Sequence, residues 1–271
     1  MEMFMIITIG ILGTIIGSFL NVVVYRTHRG TSLGGRSVCT HCNNQIPNRF
    51  LIPILGYFLS GRACFHCKKP ISTRYVWGEV LLGVLFSMVM VVLINQYGYT
   101  VSIIIPLLYW LVMTSLLFLI SYYDYLYQLI LPIPLYGMII SSVVYGYITG
   151  MSIFTMITGL CIVIPFALMY WYSQGTWIGF GDLELIAVTG ISFGFMKGLG
   201  SVVLAFWIAS VVMIIIGIYF ILKNKKIHSW NAVKKIKIPF GPFLCTSFLM
   251  VGLFSINVLE IFSLWIGRLL F

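Results

Sequence analysis

Residues 101–121, VSIIIPLLYWLVMTSLLFLIS, form a run of 21 residues without a single charged side chain. A helix of this length is about 30 Å long, which is the thickness of the hydrocarbon core of a bilayer. The run therefore predicts a transmembrane helix. Just beyond its polar end lies Asp124, one of only two aspartates in the chain.

The whole chain has the composition of a membrane protein. Its hydrophobic fraction is 61% and its charged fraction 8%, which excludes an ordinary soluble domain. Seven further apolar runs predict helices of the same kind: residues 4–25, 76–94, 132–148, 152–172, 183–195, 199–222 and 243–271. The first is not a cleavable signal, because basic residues follow it instead of preceding it. We therefore expect an all-α, polytopic membrane protein with about eight transmembrane helices.

The positive charge of the chain is confined to two segments. Of its 16 Lys and Arg residues, eight lie between Arg26 and Arg74 and six between Lys223 and Lys237. Positive residues of membrane proteins concentrate in cytoplasmic loops. This explains the net charge of +10, so we expect membrane lipid, but no nucleic acid, as a partner. If the N-terminus is outside, the first run carries the chain to the cytoplasm, where the first basic segment lies. Six more runs then bring the second basic segment to the same side. The same count places the two aspartates at the cytoplasmic ends of their helices, in an inner or plasma membrane.

The first basic segment contains two C-x2-C pairs. Cys39 and Cys42 are followed, after residues 43–63, by Cys64 and Cys67. Two such pairs at this separation predict a four-cysteine zinc site, since four thiolates complete a tetrahedron around the metal. A reducing cytoplasm favours metal binding over a disulfide. The alternatives are a redox dithiol or an accidental spacing. We expect a structural Zn²⁺ and a small cytoplasmic zinc-binding insertion.

Other cysteines and histidines have simpler interpretations. His41 and His66 lie inside the two pairs, and we expect them to be loop residues because four cysteines already complete the shell. Cys161 and Cys245 fall in apolar runs and are expected to be buried packing residues.

The second aspartate, Asp182, closes the sequence Gly179-Phe180-Gly181-Asp182. A carboxylate near the membrane core is costly and usually functional. The two glycines lack a Cβ, so Gly179 and Gly181 let the backbone approach closely beside Asp182. The alternative for each aspartate is a helix-end residue that interacts with nearby N–H groups or with a basic loop. Asp124 and Asp182 together indicate an aspartyl protease at a membrane face.

These motifs, in this order, resemble the type IV prepilin leader peptidases, which are GxGD aspartyl proteases. The resemblance covers nearly the whole chain. Besides the cysteine pairs and the aspartates, it is carried by residues 17–26 (GSFLNVVVYR), 36–39 (RSVC), 69–72 (KPIS), 74–75 (RY), 131–132 (LP) and 238–243 (IPFGPF).

The resemblance implies an activity, a substrate and a second reaction. Asp124 and Asp182 would be the catalytic pair, and the substrates would be pilin-like precursors whose short basic leader is removed at the cytoplasmic face. The family also N-methylates the new N-terminus with S-adenosylmethionine. The chain departs from the family where a lysine is common, at Glu184, and where a serine is common, at Gly56.

The methyl-donor site is unknown from the sequence. No glycine-rich strand–turn–helix motif of a soluble nucleotide-binding fold is present. Any such site would be built from the cysteine segment and its neighbouring helices. Glu79 is a candidate polar contact there, with pairing to Arg74 as the alternative.

The sequence thus predicts three segments and leaves other functions open. Residues 1–25 are expected to form the first transmembrane helix, 26–75 the zinc segment and 76–271 the peptidase core. The alternatives are a non-catalytic zinc-ribbon assembly factor, a GxGD protease with another substrate, and a transporter that uses its carboxylates to carry ions.

Overall fold

The computed structural model describes residues 2–223 and 239–260. Within these ranges the chain is helical and has no β-strand, only two isolated antiparallel bridges, Val38 with Gln45 and Ala63 with Pro70. The predicted second basic segment after Lys223 and the last residues of the final apolar run lie outside the described residues.

Nine α-helices are described. They are α1 (Glu2–His28), α2 (Leu55–Leu59), α3 (Arg74–Tyr97), α4 (Ile104–Tyr127), α5 (Pro132–Ile148), α6 (Ile153–Leu160), α7 (Val163–Ser173), α8 (Phe180–Lys223) and α9 (Gly241–Phe254). Short 3₁₀ turns occur at Asn48–Phe50 and Val101–Ile103.

Five helical stretches are long and apolar enough to cross a membrane, judged by length and composition: Glu2–His28, Arg74–Tyr97, Val101–Tyr127, Ile153–Ser173 and Phe180–Tyr219. Two shorter apolar helices, Pro132–Ile148 and Gly241–Phe254, accompany them. The prediction of an all-helical, polytopic membrane protein with a cysteine-bearing insertion is therefore confirmed.

The packing divides the chain into two compact units, Met1–Leu119 and Ile120–Phe271, with the division inside α4. This division follows contacts between helices, whereas the three segments predicted from the sequence follow their expected roles. Those three segments therefore stay a prediction.

In the first unit, α1 packs closely on α3 through glycines. A Cβ added at Gly13 would lie only 2.7 Å from the Leu82 carbonyl oxygen, and one at Gly83 would lie 2.7 Å from the Thr14 methyl group. Small residues let two helices approach within backbone contact, which is how helices associate in lipid. The opposite face of α1 exposes large apolar side chains, among them Phe4, Ile11 and Ile15, as a bilayer-facing surface would.

In the second unit, α8 is the central helix and packs against α5, α6, α7 and α9. Its helical run is interrupted at Gly194, where φ is 73° and ψ −178°. The chain folds back there, because a Cβ added at Gly198 would lie 3.2 Å from the Gly190 Cα. Residues eight apart on a straight helix are about 12 Å apart. The two apolar runs predicted at 183–195 and 199–222 thus lie on either side of this fold within α8.

The apolar run predicted at 152–172 is divided into α6 and α7. Pro165 explains the break, since a helical proline lacks an N–H and its ring collides with the carbonyl four residues earlier, at Cys161. Cys161 lies at this break and is exposed, so the prediction that it is buried is wrong. Cys245 is buried in α9, as predicted.

A close backbone contact in the second unit joins Gly159 of α6 to Gly190 of α8. A Cβ added at either glycine would overlap the carbonyl oxygen of the other. Gly217 offers a contrast, since a Cβ there would meet nothing within 4 Å.

These two positions predict opposite effects of the same substitution. Gly159→Ala should destabilise the protein by about 1–3 kcal/mol, because the backbones of α6 and α8 must move apart. Gly217→Ala should be neutral or stabilising by about 0.5–1 kcal/mol, because alanine is the better helix former. Thermal unfolding in detergent compares them. Equal melting temperatures for Gly159→Ala and the unchanged protein would contradict the packing.

Candidate functional site

The four cysteines of the two C-x2-C pairs meet at one point. Their Sγ atoms all lie within 4.8 Å of one another, and no histidine belongs to the cluster among the described residues. Cys39 lies 3.9 Å from Cys67, and Cys42 lies 3.9 Å from Cys64. Four thiolates about 2.3 Å from a tetrahedral zinc are about 3.8 Å apart. The donor set and its spacing fit a single metal ion of this kind.

The two halves of the cluster repeat the same turn. The Cys39 N–H donates to the Asn44 carbonyl and the Cys64 N–H to the Lys69 carbonyl, both at 2.9 Å. Each turn contains a non-glycine residue with positive φ, Asn43 at 56° and Lys68 at 58°. This repetition presents two sulfur atoms from each half to the same point.

The backbone of the second turn also favours the metal-binding form of its first cysteine. A hydrogen bond from the Cys67 N–H lowers the pKa of the Cys64 thiol to about 6, and the His66 N–H acts in the same direction against desolvation. Because a metal is bound by the thiolate, this turn prepares Cys64 as a ligand at neutral pH.

Polar contacts tie the cysteine segment to α1 and α3. The Arg26 guanidinium donates to backbone carbonyls of residues 32–36, including that of Leu33 at 2.6 Å. The Asn21 amide donates to the Tyr75 carbonyl at 3.0 Å. The Glu79 carboxylate accepts the Ile54 N–H at 2.6 Å.

Asp124 lies in the last turn of α4 and is buried, with 5% of its surface exposed. Its Oδ2 accepts a hydrogen bond from the Gly241 N–H at 3.0 Å. Gly241 is the first residue of α9, where N–H groups have no partner within the helix and the helix dipole favours a negative charge. The start of α9 thus stabilises the Asp124 carboxylate.

Any larger residue at position 241 would displace the Asp124 carboxylate from this contact. A Cβ there would lie 2.5 Å from the Asp124 Oδ2 and 3.2 Å from its Cγ. Gly181 is constrained in a similar way, since a Cβ there would lie 2.6 Å from the Ile130 Cβ in the connection between α4 and α5.

Asp182 lies in the first turn of α8 and is partly exposed. Its carboxylate accepts a hydrogen bond from the Gly179 N–H and interacts electrostatically with Asp124. The structure therefore brings together the two aspartates that the sequence singled out, with Gly179 and Gly181 beside the second. The N–H partners that the alternative interpretation expects are present as well: each carboxylate accepts a backbone N–H near the start of a helix.

Sequence reasoning missed the third member of this site. The residues 238–243 were recognised only as a matching motif, and no role was assigned to Gly241. The sequence PFGP marks a helix start with a glycine before a proline, but it gives no indication of a carboxylate 117 positions earlier.

Comparison with known proteins agrees with these features. Residues 11–93 match the Bacterial Peptidase A24 N-terminal domain. A prepilin leader peptidase/N-methyltransferase from Legionella pneumophila is 24% identical over 95% of this chain and 94% of its own length.

Shorter matches have higher identity. Proteins of the same name from Klebsiella pneumoniae and Vibrio cholerae are 36% and 37% identical, over 44% and 28% of this chain and 51% and 33% of their own lengths. No solved structure matches the chain significantly. The resemblance found in the sequence is confirmed: the chain is similar to bacterial proteins named prepilin leader peptidase/N-methyltransferase, and its residues 11–93 match the A24 N-terminal domain.

Proposed function

We propose that the protein is a membrane aspartyl endopeptidase that removes the leader of type IV pilin-like precursors. The observation that carries this proposal is the buried Asp124, fixed by the Gly241 N–H and in electrostatic contact with Asp182. The names of the relatives supply the substrate class. A scaffold without catalysis would have no use for a buried carboxylate that interacts electrostatically with a second one.

The two carboxylates would work as one acid–base unit. Two such groups in close proximity cannot both ionise cheaply, so they share a proton and titrate as a pair. The ionised member takes a proton from a water molecule, which attacks the scissile carbonyl carbon. The protonated member donates its proton to the carbonyl oxygen, and the amine leaves after it has gained a proton.

We also propose that the chain methylates the new N-terminal amine, as the names of its relatives indicate. The donor would be S-adenosylmethionine: the amine lone pair bonds to the methyl carbon, the C–S bond breaks with its electrons on sulfur, and the amine releases a proton. The protein would bind the donor and hold the amine beside it.

The pair of aspartates gives the first test of this function. Asp124→Asn and Asp182→Asn should each lower precursor cleavage by about 10²-fold or more, because an amide cannot exchange the shared proton. Glu184→Gln removes the same charge two residues from Asp182 and should cleave normally. Cleavage is measured by N-terminal sequencing of the product. Near-normal processing by a folded Asp→Asn variant would rule out the assignment and favour a scaffold or transporter.

A further variant separates the position of the carboxylate from its presence. Gly241→Ala keeps both aspartates but places a methyl group against Asp124, so cleavage should fall strongly while the protein stays inserted. Gly200→Ala is the matched control, since a Cβ there makes only an ordinary contact of 3.4 Å with Val258. Equal loss in both variants would point to general destabilisation.

The cysteine cluster predicts one tightly bound zinc per chain. Replacing Cys39, Cys42, Cys64 or Cys67 with serine should remove the metal and loosen the segment, since metal binding is coupled to local folding. Cys161→Ser leaves the cluster intact and should keep the metal. Elemental analysis of reduced protein measures the content. Its absence from reduced, folded protein would contradict the zinc site.

We propose that the cysteine segment faces the cytoplasm. It contains eight basic residues, and α3, about 36 Å long, can carry the chain from there to the opposite side at Tyr97. In a Cys161→Ser background with zinc bound, a cysteine at Asn44 should react with an impermeant thiol reagent only from the cytoplasmic side. One at Tyr97 should react from outside. The reverse pattern would invert the topology and separate the site from a cytoplasmic leader.

A further inference from the structure

The first unit contains a cavity of about 320 Å³ between α1, α3 and the cysteine segment. Its size lies within the range of small-molecule sites. Five aromatic residues contribute to its wall: Tyr25, Phe50, Tyr57, Phe65 and Tyr75. Aromatic faces of this kind stack with planar heterocycles and attract cations.

Glu79 places a negative charge on the wall of this cavity. The residue is buried, with 8% of its surface exposed. Its carboxylate accepts the Ile54 N–H. No ion pair involves it within residues 2–223 and 239–260, so the alternative of a pairing with Arg74 is not observed there. Burying a carboxylate without a counter-ion is generally unfavourable. The cavity beside it is where a cation can bind.

The positive residues on the same wall do not fill this role. The Arg26 guanidinium is directed to the carbonyls of residues 32–36, and Lys69 is exposed. The position of Glu79 is also fixed, because its partner Ile54 is held at φ 63° and ψ −58°. A β-branched residue adopts this conformation only when its surroundings impose it.

We propose that this cavity binds S-adenosylmethionine and that Glu79 recognises the positive charge of the donor. The inference rests on the methyltransferase half of the proposed function. The donor combines a planar adenine, which suits the aromatic wall, with a sulfonium and an ammonium group, either of which supplies the missing counter-ion. The cavity lies next to the cysteine cluster, whose zinc would keep the wall in place.

Equilibrium dialysis of the full-length protein in detergent tests the proposal. The probes are labelled S-adenosylmethionine, S-adenosylhomocysteine, which lacks the sulfonium, and 5′-methylthioadenosine, which lacks the amino-acid part. Glu79→Gln should weaken binding of the donor at least about tenfold, because the Coulomb attraction is lost. Glu2→Gln removes an exposed carboxylate outside the cavity and should bind as the unchanged protein does.

The probes also identify the group that Glu79 meets. If it is the sulfonium, Glu79→Gln abolishes the preference for the donor over S-adenosylhomocysteine. If it is the ammonium, both ligands weaken equally and 5′-methylthioadenosine is unaffected. Unchanged donor binding by Glu79→Gln, or no donor binding by the unchanged protein, overturns the proposal.

A second measurement covers the case in which Glu79→Gln loses its zinc or its fold. Hydrogen exchange of the unchanged protein should slow at residues 50–60 and 72–80 when the donor is added. Donor binding without protection there overturns the assignment of the cavity. If the product is nevertheless methylated, only this inference fails. If precursor is cleaved but never methylated, the methyltransferase half of the proposed function fails.

Discussion

The hydrogen bond from the Gly241 N–H to the Asp124 carboxylate is the contact on which the candidate site depends. It uses an N–H that α9 cannot satisfy internally, and it gives the buried carboxylate a donor where no side chain of the described residues supplies one. A hydrogen bond to a charged group is worth about 1.5–3 kcal/mol. The absence of a Cβ at Gly241 makes the approach feasible. Asp182 is held by the same means, with the Gly179 N–H at the start of α8.

The first unit depends on a different constraint: a polar segment must be held in place on two apolar helices. Glycines on α1 let its backbone lie against α3. At the end of this helix pair, Asn21, Arg26 and Glu79 each bind a backbone group of the segment. Buried polar groups of this kind must be paired, so they define where the segment docks. The metal would then cross-link its two turns, which contain too little apolar surface to fold alone.

Local features of the sequence predicted much of this structure, whereas the long-range contacts could not be predicted from the sequence. The apolar runs gave the helices because length and charge are local properties, and the cysteine spacing gave the cluster because each half is a short turn. The break at Pro165 was missed, and with it the exposure of Cys161, because composition alone does not show where a proline ring meets a carbonyl. The partner of Asp124 was missed because 117 positions separate it from Gly241. The role of Glu79 was left open because its partner is the backbone N–H of Ile54. The unusual backbone conformation of Ile54 cannot be predicted from its residue type.

The contacts also make hydrolysis and metal binding separable. Every contact of Asp124 and Asp182 described above comes from residues 124–241, in the second unit, whereas all four clustered cysteines belong to the first. Loss of the metal would release the turns around Cys39 and Cys64 and disturb the wall that contains Glu79. A zinc-free protein should therefore lose methyl-donor binding before it loses the chemistry of its aspartates, and any loss of cleavage would reflect how the precursor is held.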